Sequence, residues 1–205
     1  MSADDTTCTP VRHTSKWRTR QLTTMAVLVA VGFIISWIDI PIIPGVDFLK
    51  YDPSSVAMLI GAFLYGPLAG ADIGTLIALL HGSTAGIWGV LMNVIAMVAM
   101  AVPAGFIYRR RKTRRNALVA LAVASVVMVV VNLLANLVVT PIYTGMPVSA
   151  VIGLILPALL PFNVFKAVLN SVITLLLYKS VSRIAKAGVG TELCEIAEEV
   201  PRSAR

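Results

Sequence analysis

Amide and amino side chains recur at helical spacing in LPFNVFKAVLNSV, residues 160–172. Asn163, Lys166 and Asn170 are three and four residues apart, so a helix places all three on one face. Two amides and an ammonium group can satisfy the carbonyl and hydroxyl groups of a small ligand. In an apolar setting, a lysine near a helix end also snorkels to the interface, and asparagines also bond neighbouring helices. The spacing is compatible with both interpretations.

A second pair of amides lies in VNLLANLVVTPIY, where Asn132 and Asn136 are one helical turn apart. Hydrogen bonding between helices is the commoner use of one such asparagine in a membrane. A second asparagine on the same face favours a ligand. Asn93, in GVLMNV, is a single amide and is expected to be structural.

Residues for catalysis or metal binding do not form a recognisable set. The chain contains no phosphate-binding G-x-x-x-x-G-K-[ST] loop, no H-E-x-x-H and no nucleophile elbow. His81 lacks a second ligand nearby in sequence, and Asp39 and Asp72 are expected at solvated membrane boundaries. Cys8 and Cys194 lie in polar tails at opposite ends of the chain. We therefore predict no catalytic residues, no metal, no cofactor and no enzymatic activity.

The elements that position these side chains are apolar enough to span a membrane. The 205 residues are 58% hydrophobic and only 13% charged, whereas soluble domains average about 25% charged residues. Their apolar residues fall in long blocks, and a helix needs roughly 20 of them to cross the hydrocarbon core. The composition predicts an all-α integral membrane protein.

The net charge of +7 comes mainly from three basic clusters, at residues 12–20, 109–115 and 179–186. Each cluster lies beside an apolar segment, which is typical of topology signals and of contact with anionic lipid headgroups. Nucleic acid binding would need a folded soluble domain, and no segment is long enough for one. We therefore predict a lipid bilayer and not a nucleic acid as the surrounding partner.

The spans can be counted from apolarity and charge. Clear segments run over residues 22–40, 87–108, 116–140 and 162–181, and the longer segment 54–80 contains the turn signal Gly66-Pro67. An even number of spans must separate two clusters on the cytoplasmic side, so segment 54–80 is split in two. The sequence predicts six transmembrane helices with cytoplasmic N- and C-termini.

Three regions follow from that count. Residues 1–21 form a cytoplasmic N-terminal tail, residues 22–183 the membrane domain, and residues 184–205 a cytoplasmic C-terminal tail. Residues 146–160 are apolar but contain prolines, so we expect a short interfacial or re-entrant piece there. The charged stretch DFLKYDPSS, residues 47–55, is expected on the outer side, where Asp52, Pro53 and Ser54 also suit a helix start.

Three stretches together resemble the substrate-binding S components of energy-coupling factor (ECF) vitamin transporters, in particular the riboflavin-specific members. They are FLKYDPSSVAMLIGAFLYGPLAG (48–70), NLVVTPIYTGMP (136–147) and LPFNVFKAVLNSVITLLLYK (160–179). The resemblance covers roughly residues 20–183. It implies a six-helix subunit of the bacterial cell membrane that captures a vitamin from outside. A membrane-embedded coupling subunit and two cytoplasmic ATPases would then drive uptake.

The resemblance also implies roles for individual residues. The loop after the first helix closes over the ligand, and here that loop contains Phe48, Leu49, Lys50, Tyr51 and Asp52. Ligand hydrogen bonds are implied for Asn163 and Lys166 in the last helix and for Asn136 in the helix before it, with Asn170 on the same face as the lysine. The small residues Ala26 and Ala30 of the first helix are expected to contact the coupling subunit.

Riboflavin is the ligand that this resemblance favours. Riboflavin members carry polar residues at the positions of Gly74–Ala78 and Gly89–Asn93, where this chain is largely apolar. An S component for another vitamin is therefore one alternative. A secondary transporter driven by an ion gradient is another alternative, from a different functional class.

Overall fold

The structure, a computed structural model, describes residues 19–38, 40–41, 50–145 and 147–177. Helices make up most of this part of the chain, together with one pair of two-residue strands. The elements are α1 (Thr19–Ser36), β1 (Ile40–Pro41), β2 (Lys50–Tyr51), α2 (Ser55–Tyr65), α3 (Pro67–Arg110), α4 (Arg114–Thr144) and α5 (Val148–Leu154). A π-helical turn at Ile155–Leu159 joins α5 to a last α-helix, α6, over residues 160–177.

Three helices in the described residues are long and apolar enough to cross a membrane: Gly86–Arg110, Arg114–Ile142 and Val148–Leu177. Three shorter apolar helices accompany them: Gln21–Ser36, Ser55–Tyr65 and Pro67–Gly82. The helical membrane class is therefore confirmed. The number of spans and the side on which the termini lie remain predictions.

The predicted break at Gly66-Pro67 separates α2 from α3. Gly66 has φ 101° and ψ −178°, a backbone conformation that favours glycine, and Pro67 begins α3 at a position where its missing N–H costs nothing. The two helices then pack closely, because a Cβ added to Gly70 would lie 2.5 Å from the Cβ of Ala62. The split of segment 54–80 into two helices is confirmed.

A second glycine divides α3 itself. Gly86 has φ 72° and ψ 167° inside the helix, a region essentially restricted to glycine. The chain therefore changes direction between residues 67–85 and 87–110. His81, in the first of these two parts, is buried, and its Nδ1 lies 3.1 Å from the Ser36 hydroxyl.

The main core lies between α1, α2, α3 and α4. Met58, Leu59, Ile73, Ile77 and Met100 are among its largest fully buried side chains. Large aliphatic side chains cover much of the outside instead of a polar face, as a surface in contact with lipid requires.

The final helix begins earlier than the sequence predicts. Residues 146–160 were expected to form a separate interfacial or re-entrant piece, but helix runs continuously over Val148–Leu177, so that prediction is wrong. The π-helical turn explains the continuity, since the Leu160 N–H bonds the Ile155 carbonyl five residues back. A widened turn accommodates Pro157 and Pro161, whose rings and missing N–H groups disturb ordinary α-helical bonding.

Candidate ligand-binding site

The amides predicted on two different helices meet in the interior. Asn132 on α4 donates from Nδ2 to Oδ1 of Asn163 on α6, at 2.5 Å. Asn163 in turn donates from its own Nδ2 to the Leu159 carbonyl, at 2.8 Å, within the π-helical turn. Both asparagines are buried, so this hydrogen bond shows which faces of α4 and α6 are turned towards each other.

A column of polar side chains continues along α4. Asn136 donates to the Asn132 carbonyl at 2.8 Å and accepts from the Thr140 hydroxyl at 3.0 Å. Thr144 extends the column by donating to the Thr140 carbonyl at 2.7 Å. Both ends of the Asn136 amide are therefore engaged within α4.

Tyr51 connects the short strand pair to α6. Its hydroxyl donates to Oδ1 of Asn170 at 2.9 Å, and its ring packs edge-on against Phe165 with centroids 6.2 Å apart. Pairing of Ile40 with Tyr51 in the antiparallel ladder sets the position of the tyrosine. A side chain from the segment after α1 thereby covers the polar face of α6.

The Tyr51 hydroxyl remains protonated over the physiological range. Burial, and secondly the charge of Asp52, raise the pKa of Tyr51 from 10.0 to about 12. The phenol is therefore a hydrogen-bond donor at neutral pH.

Asp52 organises the start of α2. Its Oδ1 accepts from the Ser54 N–H at 2.7 Å, and its Oδ2 accepts from the Ser54 hydroxyl at 2.8 Å. The carboxylate is buried, so these bonds offset part of the cost of removing its charge from water. The helix-start role considered for Asp52 agrees with this geometry.

Two buried amide atoms in the described residues have no hydrogen-bond partner, Oδ1 of Asn132 and Nδ2 of Asn170. One is an acceptor and the other a donor. Leaving either of them unpaired in an apolar interior costs the folded state roughly 1–3 kcal/mol of free energy. Buried polar groups of this kind are expected to meet a partner. Lys166, also buried, lies between Asn163 and Asn170 along α6. These amides and the lysine form the candidate polar site, between α4 and α6.

The structure buries most of the residues predicted for the site and places Tyr51 in contact with Asn170. Buried side chains from the predicted set are Tyr51, Asp52, Asn136, Asn163, Lys166 and Asn170. Of Lys50 only the backbone is described, in β2, and Phe48 and Leu49 lie outside the described residues. The ligand contact expected at Asn136 stays a prediction. The side-chain Oδ1 of Asn132, which has no hydrogen-bond partner, becomes apparent only once α4 and α6 are packed together.

Ala26 and Ala30 lie elsewhere, on the exposed side of α1. Neighbouring Val27 and Ile34 on this helix are also well exposed. This face is therefore separate from the polar site and open to another membrane protein or to lipid.

In the described part of the chain, no three His, Cys, Asp or Glu residues are grouped to hold an ion. Apolar helices of spanning length around a cluster of buried polar side chains define a helical membrane protein with a polar interior. Residues 20–178 match the family model of the ECF transporter substrate-specific component. The chain belongs to this family and is a multi-pass protein of the bacterial cell membrane.

Several relatives share most of its length. It is 27% identical over 183 residues to a riboflavin transporter, RibU, of Staphylococcus aureus strain TCH60, covering 85% of this chain and 97% of the relative. It is 27% identical over 174 residues to the riboflavin transporter FmnP of Bacillus subtilis strain 168, covering 78% and 91%.

Solved structures agree on the fold. The chain is similar to the S component of a bacterial ECF transporter with a TM-score of 0.71 and 28% identity, covering 82% of this chain and 98% of that one. It also shares its fold with ThiT from Listeria monocytogenes, with a TM-score of 0.62 at 16% identity.

Proposed function

We propose that this chain binds riboflavin as the specificity subunit of an ATP-driven ECF importer. The observation that carries the proposal is the pair of unpartnered buried amide atoms, one acceptor and one donor, beside Asn163 and Lys166. Relatives that are riboflavin transporters over nearly their whole length support the choice of ligand.

The chemistry of riboflavin suits such a site. Its flat ring carries an imide N–H between two carbonyl groups, and its ribityl chain carries hydroxyls. The N–H matches the free acceptor of Asn132, and a carbonyl or hydroxyl matches the free donor of Asn170. The Lys166 ammonium adds a charged donor, whose hydrogen bonds are stronger than those of neutral groups. The apolar surroundings of the amides suit the ring faces.

The segment after α1 serves as the cover of this site in our proposal. Tyr51 already contacts α6 through Asn170 and Phe165, which ties the strand pair to the polar face. Phe48, Leu49, Lys50 and Asp52 would belong to the same cover, as the family resemblance implies. Riboflavin would then enter from the side on which this segment lies.

Transport requires further subunits in this proposal. The chain carries no nucleotide-binding motif, so two cytoplasmic ATPases would supply the energy through a membrane-embedded coupling subunit. The exposed face of α1 at Ala26 and Ala30 is the surface that we assign to that subunit, because small residues permit close helix approach. Six transmembrane helices with cytoplasmic termini complete the arrangement.

Fluorescence quenching tests the ligand directly. Titration of the purified full-length protein into riboflavin should quench the flavin emission and saturate at one flavin per chain. A thermal-shift screen over other vitamins should give no comparable stabilisation. Absence of quenching at micromolar riboflavin, together with stabilisation by another vitamin, would reassign the ligand and leave the fold unaffected.

A further inference from the structure

A separate cleft lies where α3 ends and α4 begins. It has a volume of about 520 Å³ and is lined by Phe106, Ile107, Arg110, Arg111 and Asn116. None of these residues belongs to the polar site between α4 and α6. A hydrogen bond joins the two helices at the cleft: Asn116 on α4 donates from Nδ2 to the Ile107 carbonyl of α3 at 2.6 Å.

Positive charge around this cleft is strongly concentrated. Six of the seven residues 109–115 are arginine or lysine, and all seven are exposed. The described residues contain only two carboxylates, Asp52 and Asp72, and both Asp52 oxygens accept hydrogen bonds from Ser54. Among the described residues, the cations of this run outnumber the carboxylates, which favours an anionic ligand.

The start of α4 adds to the attraction. Thr113 caps the helix by accepting the Asn116 N–H on its side-chain oxygen, at 3.3 Å. The first N–H groups of a helix have no acceptor within the helix, and their partial positive charge at its N-terminus favours an anion there. Asn116 therefore lies at the junction of a helix N-terminus and the arginine-lined cleft.

An apolar edge distinguishes this cleft from a simple anion site. The Phe106 side chain is 59% exposed, and the Arg110 guanidinium lies 5.8 Å from the centre of its ring. The cleft also lies between the end of Gly86–Arg110 and the start of Arg114–Ile142, two of the helices long enough to cross the membrane. In a bilayer spanned by these two helices, the cleft would lie at the interface, where lipid phosphate meets acyl chain.

We propose that this cleft binds the headgroup of an anionic glycerophospholipid. The phosphate would lie between Arg110 and Arg111, near the start of α4. The first part of an acyl chain would pack on Phe106. This proposal does not depend on the identity of the vitamin.

Short-chain lipids allow the binding to be measured on the full-length protein in a neutral detergent. Dioctanoyl phosphatidylglycerol, dioctanoyl phosphatidylcholine and inorganic phosphate are titrated separately, and binding is followed by thermophoresis. We expect phosphatidylglycerol to bind at least about tenfold more tightly than the other two, since surface cations contribute roughly 1 kcal/mol each toward anionic lipid. Equal affinity for inorganic phosphate would identify a free-anion site and overturn the lipid assignment.

A matched pair of variants locates the site. R110Q/R111Q removes two cleft cations, and R114Q/R115Q removes two cations of the same run whose side chains do not line the cleft. The first pair should weaken phosphatidylglycerol binding at least about fivefold more than the second, and riboflavin quenching should be unchanged in both. Equal losses in the two pairs would show an unlocalised charge effect and would overturn the proposal.

Discussion

At the scale of single residues, the site depends on a few polar groups that the membrane interior makes costly. Asn132 and Asn163 pair directly across α4 and α6, and Tyr51 bonds Asn170 from the segment after α1. The remaining acceptor and donor of these amides are oriented by the same contacts. We therefore expect the removal of a single polar atom to change ligand affinity, whereas the free energy of unfolding depends mainly on the apolar core.

Lys166→Met should weaken riboflavin binding by about tenfold to a hundredfold. Methionine retains much of the length of the side chain but removes a charged donor, and hydrogen bonds to charged groups contribute roughly 1.5–3 kcal/mol. Quenching titrations measure the change, with Lys112→Met as the control because Lys112 is exposed and remote from the site. Unchanged affinity in the Lys166 variant would exclude this lysine from the site.

Tyr51→Phe should weaken riboflavin binding by about fivefold, mainly through faster dissociation. The substitution retains the ring that packs on Phe165 and removes the hydroxyl that holds Asn170, and a neutral hydrogen bond contributes roughly 1 kcal/mol. Stopped-flow quenching separates the two rate constants. Tyr65→Phe, in α2 and outside the site, should have no effect; equal changes in both variants would contradict the role of Tyr51.

Alkaline titration tests the environment of Tyr51 independently of any ligand. Its pKa is raised from 10.0 to about 12, so its share of the folding free energy is complete below pH 10 and is lost as pH rises through about 12. The difference in tyrosinate absorbance between the unmodified protein and Tyr51→Phe should therefore have its midpoint near 12. A midpoint near 10 would show that the phenol is open to water.

At the scale of elements, the sequence predicted helices better than their ends. The Gly66-Pro67 break was predictable because both residues carry local backbone preferences. The length of the last helix was not, since Pro157 and Pro161 argue against a helix that the π-helical turn nevertheless continues. The pairing of Tyr51 with Asn170, residues 119 apart in sequence, depends on packing that no local pattern contains.

Gly86→Ala should lower the free energy of unfolding by roughly 1–3 kcal/mol, because its φ of 72° and ψ of 167° suit glycine alone. Gly153→Ala is the control. A Cβ at either glycine meets nothing within 4 Å, but Gly153 lies in α5 without a positive φ, so alanine there should be neutral or slightly stabilising. Thermal unfolding in detergent measures both; similar midpoints would contradict the strain at Gly86.

At the scale of the whole molecule, three surfaces with different chemistry lie on one helical body. The polar site lies between α4 and α6, the small-residue face lies on α1, and the arginine-lined cleft lies between α3 and α4. The membrane class was predictable from composition, and the family from three quoted stretches. The packed structure was needed to show that Asn132 Oδ1 lacks a hydrogen-bond partner while the Asn136 amide has partners at both ends, because the two asparagines are alike in the sequence pattern.

Ala26→Leu combined with Ala30→Leu should abolish vitamin uptake in cells that hold the coupling subunits, while quenching of riboflavin by the purified variant stays unchanged. Larger side chains on the exposed side of α1 would prevent close approach of a partner helix. Ala122→Leu is the control, because Ala122 is exposed on α4, away from this face. Loss of uptake in the control as well, or normal uptake in the double variant, would contradict the assigned surface.

A structure of the full-length protein with riboflavin bound tests the central claim most directly. We expect the flavin ring between α4 and α6, with Asn132 Oδ1 and Asn170 Nδ2 both within hydrogen-bond distance of the ligand and Lys166 in contact with it. A flavin bound elsewhere, or one that leaves both of these amide atoms unpaired, would contradict it.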